Sequence, residues 1–225
     1  MLQQIVKNIA DNKNKESLSH QYRTKRFELF KTLLNGLPKP VSILDIGGTV
    51  EFWKAMCFED AAVRITLLNL EPAPKVDPPF YTIQGNATNL SGIADGSYDI
   101  VFSNSVIEHL FTWENQQKMA AEVHRVGKNH FIQTPNYWFP IEPHWVFPFF
   151  QYFPKFLRQW LTQHFHLGHI GKASNSAAAK RQVEEIRLLT KAEMKQLFPH
   201  STLYKEQFKG LNKSFTAYSF DGIAL

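Results

Sequence analysis

Three short strings in this 225-residue chain carry side chains that could do chemistry. In Glu142-Pro143-His144 an acid and a base stand two residues apart inside the aromatic run Tyr137 to Trp145. Aromatic surroundings desolvate both groups and favour their neutral forms, which is a frequent trait of acid–base residues. The reading is His144 as proton acceptor, with Glu142 as its orienter or as a hydrogen-bond acceptor for substrate. The alternative is a rigid loop whose Glu and His satisfy backbone groups. Glu108-His109 is the second string, and His109 is either a structural histidine bonded to the backbone or a further base. Gly47-Gly48 is the third, placed directly after the apolar run Val41 to Ile46. Gly47 leaves the backbone bare for a ligand and accommodates a tight turn. Asp45, two residues earlier, could accept from an ammonium group or from loop amides. His164, His166 and His169 lack nearby thiols and a fixed helical spacing, so they read as surface histidines and not as a metal set.

These residues need elements to position them. Phe27, Phe30, Leu33 and Leu34 recur at helical spacing, which predicts a helix over about 17–37 that is stopped by Gly36, Pro38 and Pro40. Strand-like runs follow at 41–46, 63–70, 80–84, 98–102 and 130–134. Helical stretches are predicted at 51–58, 106–110, 114–125 and 191–197. Alternating strands and helices argue for a doubly wound α/β fold with a mostly parallel sheet and helices on both faces. The runs 201–208 and 213–220, separated by Gly210, Leu211 and Asn212, predict an antiparallel hairpin. Residues 136–180 break the alternation and read as an inserted aromatic cap, ending in a small, polar, mobile tail at 172–180. Within it, Phe149, Phe153, Phe156, Leu157, Trp160 and Leu161 follow helical spacing. That stripe suits packing on the core or on a second copy. It also suits a cover over an apolar or lipid-linked acceptor, or a peripheral contact with a membrane surface. The expected organisation is one domain over 1–225, with N-terminal helices in 1–40 and the cap in 136–180.

Composition narrows the class. An apolar share of 44% and a charged share of 20% are those of a globular protein. The net charge of +5 is spread along the chain and suits an acidic or phosphate-bearing partner. No basic tract or nucleic-acid motif is present, so nucleic acid is not expected as a partner. One cysteine excludes an internal disulfide and suits a reducing compartment. Residues 1–15 lack the apolar core of a signal peptide, and prolines interrupt the aromatic stretch, so a cytoplasmic location is expected.

Four segments in order resemble the class I S-adenosylmethionine (SAM)-dependent methyltransferases, specifically the type-11 group. Ile43 to Thr49 resembles the first cofactor motif. Ile65 to Glu71 resembles the second strand, whose tip binds the ribose. Gly85-Asn86-Ala87 resembles the adenine-contacting turn. Ser97 to Leu110 resembles the fourth strand and the element after it. The resemblance implies SAM as cofactor and a seven-stranded sheet of order 3-2-1-4-5-7-6 with the last strand antiparallel. It implies a cofactor site from Asp45, Gly47, Gly48, Thr49, Asn86, Ala87, Ser103 and Asn104, with Asn69 or Glu71 on the ribose. Register favours Asn69 and chemistry favours Glu71. Asn86 could accept from the adenine amino group and donate to a ring nitrogen.

The chain departs from the family where Thr49 and Glu51 replace glycines of the loop. Glu51 would repel a pyrophosphate at the following helix, which favours SAM over a dinucleotide. Related quinone O-methyltransferases that bind a metal carry a further Glu where this chain has Ser105, so no metal is expected. The reading is a methyltransferase acting on a small-molecule acceptor: an aromatic, lipid, quinone or glycan precursor. A tRNA or protein methyltransferase and a non-catalytic SAM-binding protein are the alternatives.

Overall fold

A computed structural model describes residues 17–71, 74 and 76–220. Most of the expected N-terminal region before residue 17 lies outside the described residues. Helix α1 (Leu18–Asn35) starts where the Ser17 hydroxyl accepts from the His20 amide at 3.0 Å, an N-cap. Its stripe of Phe27, Phe30, Leu33 and Leu34 is buried. Burial of one such phenylalanine stabilises by about 1.5–3 kcal/mol.

The strands are β1 (Val41–Ile46), β2 (Val63–Asn69), β3 (Phe80–Gln84), β4 (Tyr98–Asn104) and β5 (Gly127–Pro135). Two short strands, β6 (Ile141–Glu142) and β7 (Phe147–Pro148), pair only with each other. Strands β8 (Thr202–Phe208) and β9 (Leu211–Ser219) complete a seven-stranded sheet of order β3-β2-β1-β4-β5-β9-β8. This is the expected winding, with its last two strands renumbered by the β6–β7 hairpin. Strands β1 to β5 pair in parallel, and β9 pairs antiparallel to both β5 and β8. The β8–β9 turn is Lys209-Gly210, one residue earlier than the sequence predicts. Both residues have positive φ, 49° and 81°, as the tight hairpin turn requires.

Each face of the sheet has its own core. Helices α1 and α2 (Val50–Ala55) cover one face over Trp53, Phe102 and Phe131. Helices α3 (Trp113–Val126) and α6 (Lys191–Leu197) cover the other over Leu44, Val101, Met119 and Phe198. The winding reverses between β1 and β4, which places the ligand crevice beyond the tips of those strands.

Three local expectations change. Residues 106–110 form a 3-10 turn at Ile107–His109, not a helix. The aromatic stripe of the cap is broken: Phe149 is left-handed, Phe150–Tyr152 is a 3-10 turn, and α4 (Lys155–His164) begins only after Pro154. The supposed tail holds α5 (Ser176–Glu185), capped by Asn175 and anchored by buried Ala179 and Val183. No helix among the described residues is long and apolar enough to cross a membrane.

Candidate active site

Strand β1 delivers Gly47 to the crevice in a left-handed conformation, φ +72°, with its amide donating to Leu68 O at 2.8 Å. A Cβ there would lie 2.5 Å from Val106 Cγ2. Thr49 caps α2 by accepting from the Phe52 amide. Asp45 differs from expectation. It is buried and accepts from the Trp53 indole at 2.8 Å, not from a loop amide. Burial pushes its pKa up to about 8, with the indole hydrogen bond partly offsetting this. The group is therefore largely protonated at neutral pH and offers little charge to an ammonium. Gly48 packs directly on it, since a Cβ would stand 1.9 Å from Asp45 Oδ2.

At the tip of β2, Asn69 donates to Gly48 O at 3.0 Å and so ties the loop to the neighbouring strand. That use of the amide nitrogen leaves Oδ1 to accept. Glu71 is exposed beyond it, with exposed Leu70 between the two. Asn86 Oδ1 is already engaged by the Thr88 amide and hydroxyl, at 3.0 and 2.9 Å. With Oδ1 engaged, the amide nitrogen is what remains for a ligand, which corrects the two-point contact expected for adenine. Ala87 is buried beside it. Ser103 is fully buried and donates to Ile46 O, so it joins β4 to β1 instead of facing a ligand. Asn104 Oδ1 accepts from Arg26 Nη2 at 2.8 Å.

Arg26 brings residues that the sequence reading missed. It pairs with Glu206 at 2.6 Å, and the Ser214 hydroxyl also bonds Glu206. Arg23 and Lys213 stand close enough to feel the same charges. Burial, then the charge of Arg26, lowers Arg23 to about 10. Burial lowers Lys213, with Glu206 partly offsetting it. These cations come from α1 and β9, nearly two hundred residues apart, so no local spacing could announce them.

The cap builds the other side. Glu142 is buried and uses both oxygens. Oε1 holds His144 Nδ1 at 2.7 Å, and Oε2 accepts from the amides of His144 and Trp145, both at 2.7 Å. The His144 ring meets that of His109 edge to face, with centroids 4.9 Å apart. His109 Nδ1 lies 3.2 Å from Glu185 Oε1, so its partner is a side chain on α5 rather than the expected backbone group. Glu108 is fully buried. One of its oxygens accepts from Thr134 Oγ1 at 3.0 Å and the other has no hydrogen-bond partner. Burial raises its pKa, against the opposing pull of His109 and His144. For His144 burial lowers the pKa, but the Glu142 hydrogen bond and the charges of Glu142, Glu108 and Glu185 outweigh it. The net shift is upward, the reverse of the neutral form expected from desolvation alone.

Glu108, His109 and His144 each offer a ligand atom within 4.8 Å of the others, the one such group among the described residues. His164 and His166 are not part of it. His164 bonds Trp160 O, and His166 accepts from the Lys172 amide.

A cavity of about 720 Å³ opens beside this array, lined by Glu142, Trp145, Tyr137, Phe150, Arg158 and Arg187, among others. A larger one, about 1020 Å³, lies at the amino ends of β1 and β2 around Val41 and Val63. Ligands of this fold bind at the opposite, carboxyl ends, so the smaller cavity is the relevant one.

A family model described as a methyltransferase domain, type 11, matches residues 45–130. No curated protein matches the chain. Among solved structures, a SAM-dependent methyltransferase from Methanosarcina mazei is 14% identical, over 83% of this chain and 95% of its own, with a TM-score of 0.46. A SAM-dependent methyltransferase from Aquifex aeolicus is 10% identical over 86% and 87%, with a TM-score of 0.46. A possible exported protein from Bordetella parapertussis is 11% identical over 86% and 66%, with a TM-score of 0.51. The matched segment runs from the carboxyl end of β1 through β2, β3 and β4, with the loops at their tips, into the start of β5. Residues 45–130 thus match a type-11 methyltransferase domain, on a sheet with the winding expected of the class I fold, and SAM is the cofactor this match implies.

Proposed function

We propose that the chain transfers a methyl group from SAM to a small-molecule acceptor held under the cap, with His144 as the base. The polar groups at the strand tips suit the cofactor. Asn69 Oδ1 and Glu71 suit ribose hydroxyls, the Asn86 amide suits the adenine, and exposed Leu70 offers an apolar face. Arg23, Arg26 and Lys213, set against the single carboxylate Glu206, suit a carboxylate tail. When bound, the sulfonium supplies an electrophilic methyl carbon.

The observation that carries the catalytic reading is the Glu142–His144 pair. Glu142 is clamped by two amides and fixes the imidazole through Nδ1, which leaves Nε2 to take a proton from an acceptor hydroxyl or amine. A base of this kind contributes about 10²–10⁴ in rate, and alignment of acceptor with methyl about 7–11 kcal/mol. Glu142 and Trp145 line the cavity, and His144, which does not itself line it, is held against Glu142 at 2.7 Å, so the reading places the acceptor's nucleophile at the Glu142 end of the cavity. His109, braced by Glu185, supports the His144 ring from the other side.

Incubation of the chain with methyl-labelled SAM and separated small-molecule, tRNA and protein extracts tests the proposal. Label is expected in the small-molecule fraction, lost in His144→Gln, and unaffected by a chelator. Label in tRNA or protein would overturn the acceptor class. Loss of activity with the chelator would transfer the role of His144 to a cation held with Glu108 and His109.

A further inference from the structure

The cavity under the cap combines aromatic walls with two cations that form no ion pair among the described residues, half-buried Arg158 and exposed Lys155. Arg158 reaches it from α4, and Lys155 lies one turn earlier on the same helix. Arg158 Nε is buried without a hydrogen-bond partner, and neither cation forms an ion pair among the described residues. Leaving a buried donor unsatisfied costs about 1–3 kcal/mol, more for a charged group.

The carboxylates on the same wall do not relieve this. Glu142 is consumed by His144 and the Trp145 amide. Glu193 is taken by Arg187 at 2.5 Å and by Thr190. Arg187 lines the cavity too, but Glu193 and Gln116 hold its guanidinium, so it is not the free cation. Glu184 faces the cavity and pairs with neither Lys155 nor Arg158. Burial lowers the pKa of Arg158, with Tyr137 and the charge of Glu142 partly offsetting it, and no carboxylate among the described residues bonds the guanidinium. Beside it stand Tyr137, Trp145 and Phe150, with a second unpartnered buried atom, Gln151 Oε1, available to accept from a hydroxyl. A guanidinium is the side chain best shaped for two-point contact with a carboxylate or phosphate.

Building on the methyl-transfer reading, we infer that the acceptor is an anionic amphiphile. Its carboxylate or phosphate is held by Arg158 with help from Lys155, and its ring or apolar body lies against Tyr137, Trp145 and Phe150. The anchor fixes the acceptor at one end so that its nucleophile reaches the Glu142–His144 pair at the other.

Calorimetric titration of the full chain with phenyl phosphate, benzoate and benzyl alcohol tests this without knowing the acceptor. At least one anion is expected to bind ten times or more tighter than benzyl alcohol. Arg158→Gln should erase that preference, and Lys155→Gln should reduce it two- to fivefold. Arg158→Gln should still bind SAM like the parent, which shows that it folds. Equal binding of the alcohol and both anions, or a preference that survives Arg158→Gln, would overturn the inference. So would inorganic phosphate binding as tightly as phenyl phosphate, because then the aromatic wall contributes nothing. SAM binding alongside any of these results sinks the anchor alone, whereas absent SAM binding sinks the methyl-transfer reading itself.

Discussion

Around Gly47 the loop is held by near neighbours: Leu68 O, the Asn69 amide, and Asp45 with Trp53 beneath it. Around His144 the array is held by residues from far along the chain. Glu108 meets Thr134, His109 meets Glu185, and Gln116 meets Arg187. The first region is mostly backbone and short side chains over a packed core. The second is a network of buried and half-buried polar and charged groups beside a cavity. A backbone site fails when bulk is added, because the loop has nowhere to go. A charged network fails when one partner is removed, because the others are left buried and unpaired. The two regions should therefore break in different assays.

The largest effect is expected on the cap side. His144→Gln should lower the methyl-transfer rate by about 10²–10⁴ while SAM affinity, read by calorimetry, stays within about twofold. Equal losses in both would erase the distinction between the regions. On the cofactor side, Gly48→Ala should weaken SAM by about tenfold or more, about 1.4 kcal/mol, because its Cβ would sit 1.9 Å from Asp45 Oδ2. Unchanged affinity would show that the loop shifts freely.

This contrast also explains what the sequence revealed. Glycines after an apolar strand, a capping Thr49 and an apolar helical stripe are local signals, and the strand order followed from them and the family resemblance. Glu142 and His144 were legible because they are two residues apart in an aromatic setting. Arg26, Glu206, Glu185 and Arg158 carry no local pattern, since their partners lie elsewhere in the chain or are absent from it. Pro154 was visible yet its consequence was missed. The apolar spacing runs through it, whereas the fixed proline ring starts α4 there and leaves Phe156 and Trp160 exposed. The direction of the His144 shift was also missed, because three carboxylates converge on it only in the fold.

Smaller effects sharpen the comparison through pH. As a base His144 acts when neutral, and its pKa is raised, so transfer should increase with pH through an inflection above the ordinary histidine range. Glu142→Gln removes the hydrogen-bonded charge, so the inflection should move to lower pH in the pH–rate profile. An unmoved inflection would assign it to another group. Asp45 gives the counterpart in stability. Its folded pKa is raised from 3.8 to about 8, so the fold keeps a proton that the unfolded chain releases. This contribution is fully present below the unfolded value and is lost as pH rises toward about 8. Asp45→Asn should flatten the fall in Tm between about pH 4 and 8, read by thermal melts. A slope equal to the parent's would show that Asp45 is ionised in the fold.

The central claim is that a sulfonium nucleoside occupies the crevice between Gly47 and the tips of β2 and β4. Calorimetric titration of the full chain with SAM tests it most directly. The account predicts saturable heat with one site per chain, weakened in Gly48→Ala and retained in His144→Gln. No heat with SAM up to about 1 mM, where even weak ligands register, would contradict it.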